Sequence, residues 1–344
     1  MARVSWASLS NPSPYRDAAY STCVLRDVVY VAGFDEVLGF GRQRYRIEAR
    51  SVRSGVVVGR WVDEKGYSFA SLYSCAALRD RVFAVGATEV FWSVIAFDKG
   101  LSIVLRRDFE KPRFIPYSIA VSGDMLFVAG AELLPGGGYA MHVEAVSIDD
   151  LTPLARYSSN PRQMGAAAYA TLYNTFTGQL VVGGFDNAEG YRSWRIEVLS
   201  KDLSLQIISK PQLRGVITSL AMNPGGYIYA VGRSGVAKVD RDGGVASMST
   251  GIGGCKALAS PTESPLESRI AIISDDTLHI VDENLKIVES LRIARGTEIL
   301  TAMHGGISFD KENMFIALTQ ITTDIDWNWS IIAVNPRPRR FKFF

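Results

Sequence analysis

The sequence predicts an all-β protein, a seven-bladed β-propeller of four-stranded antiparallel blades, and three observations lead there. A short apolar strand ending in small residues recurs seven times, a strand–polar turn–strand hairpin recurs seven times, and the two alternate strictly. Each unit spans roughly 40–55 residues, the period of propeller blades. No segment carries sustained helical periodicity, so the crossover helices of a parallel α/β fold have no place in the chain.

The small-residue strand runs Val29-Tyr30-Val31-Ala32-Gly33, Val82-Phe83-Ala84-Val85-Gly86, Leu126-Phe127-Val128-Ala129-Gly130, Leu180-Val181-Val182-Gly183-Gly184 and Ile228-Tyr229-Ala230-Val231-Gly232. Two degenerate copies, Ile270 to Ser274 and Met314 to Leu318, complete the set. β-Branched and aromatic residues suit a strand buried on both faces, and a terminal glycine permits a close backbone approach. The hairpin turns fall near Arg53-Ser54-Gly55, Asp98-Lys99-Gly100, Asp149-Asp150, Lys201-Asp202, Asp240 to Gly243, Asp282 to Asn284 and Asn335 to Arg337. Asp, Asn and Gly tolerate the dihedrals of tight turns. One further apolar stretch precedes each glycine-ended strand, as in Ser21 to Leu25 before Arg26-Asp27. Four strands per unit place the blades at 15–64, 67–110, 114–160, 165–211, 214–251, 252–295 and 297–344, within one domain covering 1–344. Residues 1–14 are expected on the last blade. Arg3 to Leu9 and Arg339 to Phe344 both qualify as closing strands, in an order the sequence leaves open.

Of the 344 residues, 47% are hydrophobic and 21% charged, an ordinary globular composition. A net charge of +2, from 37 basic and 35 acidic side chains, supplies no field for nucleic acid or anionic lipid. Cys23, Cys75 and Cys255 carry no metal-ligand spacing, and reduced thiols fit a cytoplasmic protein. Cys23 and Cys75 occupy matching places in two repeats and read as small buried residues. The N-terminus lacks the apolar core of a secretory signal, and no stretch suits a membrane-spanning helix.

Blade four, with Gly183-Gly184 followed by Tyr191 and Trp194, resembles a kelch-type repeat. Arg53 to Trp61 is similar to a quinoprotein-type repeat, in which a turn precedes a strand ending in Trp. The Gly-His and Trp-Asp signature of WD40 repeats is missing. The resemblance implies propeller architecture over the whole chain and carries over no catalytic residue.

A site on this architecture belongs on the face built by the loops between second and third strands and by the blade-to-blade connections. The second-to-third loops read as long at Asp35 to Arg44, Glu132 to Tyr139, Asp186 to Ser193 and Thr319 to Asn328, and long loops on a rigid scaffold carry function. Acids follow the second strands: Asp35, Glu89, Glu132, Asp186, Asp275, and Asp324 or Asp326. Turned inward they would gather a divalent cation; as turn residues they stay solvated, and no cofactor is assigned. Arg113, Arg162, Arg214 and Arg295 lie near the starts of blades three to six. They either capture an anionic ligand or pair with the acidic loops. The candidate ligand-binding set is therefore Asp35, Glu132, Asp186, Arg113, Arg162, Arg214 and Arg295, with no catalytic residue and no metal ligand named.

Tyr20-Ser21, Tyr73-Ser74 and Tyr117-Ser118 share one register, either lining the channel or packing between blades. His142, His279 and His304 fall in different blades, which argues against a three-histidine metal site or a Ser/His/Asp unit. Asp324 to Trp329 suits a sugar- or cation-contacting loop or an anchor for the last blade. The basic tail Pro336 to Phe344 reads as a closing strand. Missing catalytic constellations and uneven loop walls favour a non-enzymatic platform for a protein or peptide partner. The alternative is a small-molecule hydrolase, lyase or cofactor-dependent oxidoreductase with its site at the channel mouth; nucleic acid and membrane are not expected partners.

Overall fold

In a computed structural model the chain forms seven small sheets arranged blade against blade. The structure describes residues 2–110, 113–223, 225–252, 255–259, 269–274, 276–293, 299–301, 306–310 and 312–336. A first strand, β1 (Arg3–Ser10), precedes blade one, which holds β2 (Ala18–Leu25), β3 (Val28–Asp35), β4 (Arg44–Ser51) and β5 (Val57–Val62). Blade two holds β6 (Ala70–Leu78), β7 (Arg81–Thr88), β8 (Trp92–Phe97) and β9 (Ile103–Phe109). Blade three holds β10 (Phe114–Ser122), β11 (Met125–Leu133), β12 (Tyr139–Ser147) and β13 (Pro153–Ser159). Blade four holds β14 (Ala166–Asn174), β15 (Gln179–Asp186), β16 (Ser193–Leu199) and β17 (Leu205–Ser209). Blade five holds β18 (Ile217–Met222), β19 (Ile228–Gly232), β20 (Gly235–Val239) and β21 (Val245–Ser249). Blade six holds β22 (Cys255–Ala259), β23 (Ile270–Ser274), β24 (Thr277–Val281) and β25 (Ile287–Arg292). Blade seven holds β26 (Ile299–Thr301), β27 (Ile307–Phe309), β28 (Met314–Thr323) and β29 (Asp326–Asn335). Blades one to six follow sequence order across each sheet, and every pairing is antiparallel.

Blade seven departs from the others in three ways. Its first strand is split, β26 and β27 both pairing with β28. Its outermost strand is β1, running from Arg3 opposite Asn335 to Ser10 opposite Trp329. The N-terminal strand thus closes the ring as the outer strand of blade seven; Arg339 to Phe344 lie outside the described residues. Finally, Thr319 to Asn328 is not the long loop expected from the sequence. Both strands run on to a two-residue turn, Asp324-Ile325, because the hairpin gains a third neighbour. The Trp327 N–H donates to the Tyr15 carbonyl (3.1 Å), and the Asp17 N–H donates to the Trp327 carbonyl (3.2 Å). Among the described residues no helix is long and apolar enough to cross a membrane.

The core sits between blades. Cys23, Tyr30, Tyr45 and Ile47 of blade one pack with Leu72, Cys75, Val82 and Phe97 of blade two. Trp92 and Val94 of blade two meet Phe114 and Leu126 of blade three in the same way. Cys23 and Cys75 are buried free thiols, and burial pushes the Cys23 thiol well up. The glycines at or near the ends of the second strands have a steric cause. In each of blades one to five the first strand makes a register shift, at Tyr20, Tyr73, Tyr117, Tyr169 and Thr218. The displaced backbone brings a carbonyl onto Gly33, Gly86, Gly130, Gly184 or Gly232, where a Cβ would lie only 1.9–2.2 Å from that oxygen.

Candidate functional site

Loops between second and third strands, and the connections between blades, build one face. In blade one the loop presents Val37, Leu38 and Phe40 to solvent, with Phe40 54% exposed. Arg16 is held between the Phe40 and Trp327 rings, 5.2 and 5.0 Å from their centroids, and also donates to the Asp324 carbonyl. Val90, Tyr139, Met164 and Ile325 are likewise exposed at the tips of blades two, three, four and seven or the connections beside them. Blade five has only the turn Arg233-Ser234 at this level, so the face is low there.

Two of the acids expected at the loop mouth, Asp35 and Asp186, are turned into the blades, while Glu89 and Asp324 stay exposed and Glu132 and Asp326 half-buried. Asp35 is fully buried and pairs with Arg44 (2.5 Å) and Arg46 (3.0 Å). Asp186 is fully buried and pairs with Arg195 (3.0 Å) and Lys210 (3.1 Å). Burial would push the Asp186 carboxyl up, but the Ala188 N–H, Lys210 and Arg195 outweigh it and hold the group below the usual carboxylate range. Glu132 sits 3.1 Å from His142 Nδ1 and accepts from Ser158. Asp275 lies outside the described residues.

The cations behind these pairs come from a repeat that runs across third strands. Tyr45-Arg46-Ile47-Glu48, Met141-His142-Val143-Glu144 and Trp194-Arg195-Ile196-Glu197 occupy one register. Arg46, His142 and Arg195 stand opposite Gly33, Gly130 and Gly184, while the Glu stands two residues on. Alternation along a strand puts the cation and the Glu on one face, and Arg46–Glu48, His142–Glu144 and Arg195–Glu197 lie 2.5, 3.0 and 2.6 Å apart. The signal was readable as an aromatic or Met, a basic residue, a β-branched residue and Glu, but it stands in stretches that read simply as strand. His142 has both ring nitrogens engaged, Nδ1 with Ser158 (2.7 Å) and Nε2 with Glu144 (3.0 Å), and the ring is buried. Among the described residues no three Asp, Glu, His or Cys side chains converge as a metal-holding group. His304 lies outside the described residues.

The blade-to-blade arginines remain on the face. Arg162 donates to the Ala188 carbonyl (3.2 Å), so it reaches the same blade-four loop that Asp186 begins. Arg214 lies over the Tyr191 ring, 4.5 Å from its centroid. Arg113 is exposed, its carbonyl accepting from the Leu133 N–H (2.6 Å), and Arg295 lies outside the described residues. Asp186, Arg162 and Arg214 therefore gather around blade four; Asp35, Glu132 and Arg113 do not join them. Beside Arg214 a cavity of about 100 Å³ is lined by Tyr191, Ser193, Trp194, Lys210 and Leu213 among others.

First strands of consecutive blades lie against one another and form the inner wall. Their bulge tyrosines make an aromatic arc: Tyr20–Tyr73 and Tyr73–Tyr117 at 5.4 Å between centroids, and Tyr117–Tyr169 at 4.6 Å. The serine after each of the first three accepts from the next blade's backbone, Ser21 from Cys75 N (3.2 Å), Ser74 from Ile119 N (3.4 Å) and Ser118 from Thr171 N (3.0 Å). Burial pushes the Tyr20 phenol up to about 12 and raises the other three, so at neutral pH all four keep their protons. The Tyr-Ser register is an inter-blade joint.

No family model matches the chain, and no curated protein matches it. Solved structures do. The WD40 domain of Neurospora crassa Pan2 aligns over 99% of this chain and 97% of its own, at 8% identity and a TM-score of 0.67. Quinohemoprotein alcohol dehydrogenase from Comamonas testosteroni aligns over 98% of this chain and 77% of its own, at 11% identity and a TM-score of 0.62. A chain of the mitotic checkpoint complex aligns over 94% and 93%, at 11% identity and a TM-score of 0.62. The likeness is one of fold. The loop face itself is apolar at the tips and carries Arg162, Lys210 and Arg214 beside blade four, with Glu189 next to them.

Proposed function

We propose that the chain is a non-enzymatic platform that binds a protein or peptide partner across its loop face. The carrying observation is the set of apolar side chains held out at blade tips, Leu38, Phe40, Val90, Tyr139, Met164 and Ile325, on a rigid ring. Apolar groups spread over a broad face gain from burial against a large partner, whereas one small molecule would cover few of them. Two of the similar folds, a WD40 domain and a chain of a checkpoint complex, support the reading by their class. The phenols of the inner wall stay protonated and packed together, which leaves the channel mouth without a general base from that source.

Phe40→Asp and Met164→Asp change the loop face; Phe176→Asp changes an exposed aromatic on the turn between β14 and β15, at the opposite end of the blade. Affinity capture followed by cross-link mapping is expected to lose one partner with the first two variants and keep it with the third. Capture that is equal for all three, or absent with the wild type, overturns the platform. A measured turnover accompanied by thermal stabilisation from a divalent cation or small anion would move the function to the channel-mouth enzyme instead.

A further inference from the structure

One backbone bridge fixes the rim of the cavity beside Arg214. Ser193 and Arg214 form an isolated bridge, the Trp194 N–H donates to the Leu213 carbonyl (3.0 Å), and the Gly215 N–H donates to the Arg192 carbonyl (2.8 Å). The connection from Lys210 to Arg214 is thus joined to the start of β16 by a single bridge. Among the described residues Arg214 forms no ion pair, and its guanidinium is stacked on Tyr191, whose hydroxyl is anchored on Glu189. A stacked guanidinium keeps its N–H edge available for a planar acceptor. Lys210 adds a second positive charge at the same opening, one-third exposed even while it contacts Asp186. Trp194 lines the cavity, is fully buried, and its indole N–H has no hydrogen-bond partner in the protein. A buried donor left unmade is costly, and the Trp92 indole N–H of blade two is unmade in the same way.

The opening has a cause in the sequence. Ser193 stands opposite Asp186 where Arg44 stands opposite Asp35 in blade one. A serine in place of arginine leaves the space that Arg44 fills, and Lys210 reaches in from the next connection to pair the acid. Exposed Tyr191 lines the opening with apolar ring surface on which a chain can lie.

We propose that this cavity takes the carboxylate side chain of an acidic peptide segment, with Arg214 as its bidentate partner and Lys210 as the second cation. The inference rests on the platform reading and names the chemistry of what docks at blade four. Inorganic phosphate shares the charge, but the apolar flank favours an acid carried on a peptide.

The test is fluorescence anisotropy of the full chain with two labelled octapeptide pools, randomised around a central Glu or a central Gln. The Glu pool is expected to bind about tenfold more tightly, a preference that weakens with salt. Arg214→Gln abolishes the preference, and so does Ser193→Arg, which fills the cavity while leaving Arg214 in place; Arg162→Gln keeps it. Circular dichroism confirms that each variant is folded. Equal binding of the pools, or a preference that survives both Arg214→Gln and Ser193→Arg, overturns the assignment, as does displaceable binding of inorganic phosphate with no binding of either pool. A partner captured equally by wild type and Arg214→Gln, yet lost with Phe40→Asp, would sink this inference and leave the platform standing.

Discussion

In blade one Arg46 lies opposite Gly33 and Glu48 opposite Val31; in blade four Arg195 lies opposite Gly184 and Glu197 opposite Val182. The two ladders share a register and differ at both ends. Blade one extends its ladder with Arg44 and Arg50, so that Asp35 and Glu48 each receive two guanidinium groups. Blade four has Ser193 and Leu199 at those positions. Its ladder stops at Arg195, one Glu197 oxygen has no partner, and Lys210 reaches Asp186 from outside the sheet. Blade one faces the outer strand β1, whose Ser8 and Ser10 bond Arg50 and Glu48. There the ladder seals the seam between blade seven and blade one. The apolar clusters at that seam are small, Val29 with Phe315 and Ala333, and Ala19 with Trp329 and Ile331. Hydrogen bonds between serine hydroxyls and the buried ladder add to that contact, whereas the ion pairs Asp27–Lys99 and Asp63–Arg106 cross between blades one and two. The same strand pattern thus makes a closed joint in one place and stands beside an open pocket lined by Glu189, Lys210 and Arg214 in another, according to which residues flank it.

The largest difference between the two is expected from removing the shared glutamate. Glu48→Ala leaves Arg46 and Arg50 buried, with one and no acidic partner respectively, and should cost about 3–5 kcal/mol in urea unfolding. Glu197→Ala leaves Arg195 still bonded to Asp186, and should cost about 1.5–3 kcal/mol. Equal losses would mean that the extra arginines of blade one do not couple to Glu48.

A smaller effect, the same in both blades, is expected from the glycines opposite the arginines. A Cβ on Gly33 would meet the Ala18 carbonyl oxygen at 1.9 Å, and one on Gly184 would meet that of Ala167 at 1.9 Å. Gly33→Ala and Gly184→Ala should each cost about 1–3 kcal/mol, since backbone on both sides must shift. Unequal thermal midpoints would show that the two first-strand bulges are not equivalent, and would weaken every register comparison between these blades.

These glycines show how far the fold was legible. Apolar runs ending in glycine mark a strand that another backbone approaches, and five of them in one phase reveal the repeat. The bulge that causes the approach is not written in composition, because it depends on which carbonyl the pairing displaces. Tyr20, Tyr73 and Tyr117 were visible as a register, yet only the pairing shows them to be the displaced residues. The acids failed differently. Asp35 and Asp186 end second strands and look like loop carboxylates. Hairpin register returns Arg44 and Arg46, or Arg195, onto them nine to eleven residues later and buries the pair. Turn composition alone does not contain that return. Arg214 was legible as a cation on the face; its ring support from Tyr191 and the neighbouring cavity depend on a bridge between two loops.

The smallest effect concerns pH, and it separates the seam from blade four by sign. Asp17 stands at the seam in the register that Ala166 occupies in blade four. Its carboxyl accepts from the Ser13 N–H and hydroxyl and from the Glu36 N–H. Burial outweighs those bonds, with Asp35 adding to it, and pushes the group up from 3.8 to about 7. The folded state then holds a proton that the unfolded chain has released, so stability from this group is complete below about pH 4 and is lost as pH rises towards 7. Asp186 runs the other way: held low in the fold, it contributes above the unfolded value and loses that contribution as pH falls through its folded one. Between pH 5 and 7 the Asp186 contribution is level and Asp17 tilts the profile downwards, by at most about 1.4 kcal/mol per pH unit. Asp17→Asn should flatten urea-unfolding free energies over that window, whatever it does to their absolute level. A slope unchanged by the substitution would place the titrating group elsewhere and leave Asp17 ionised on its three hydrogen bonds.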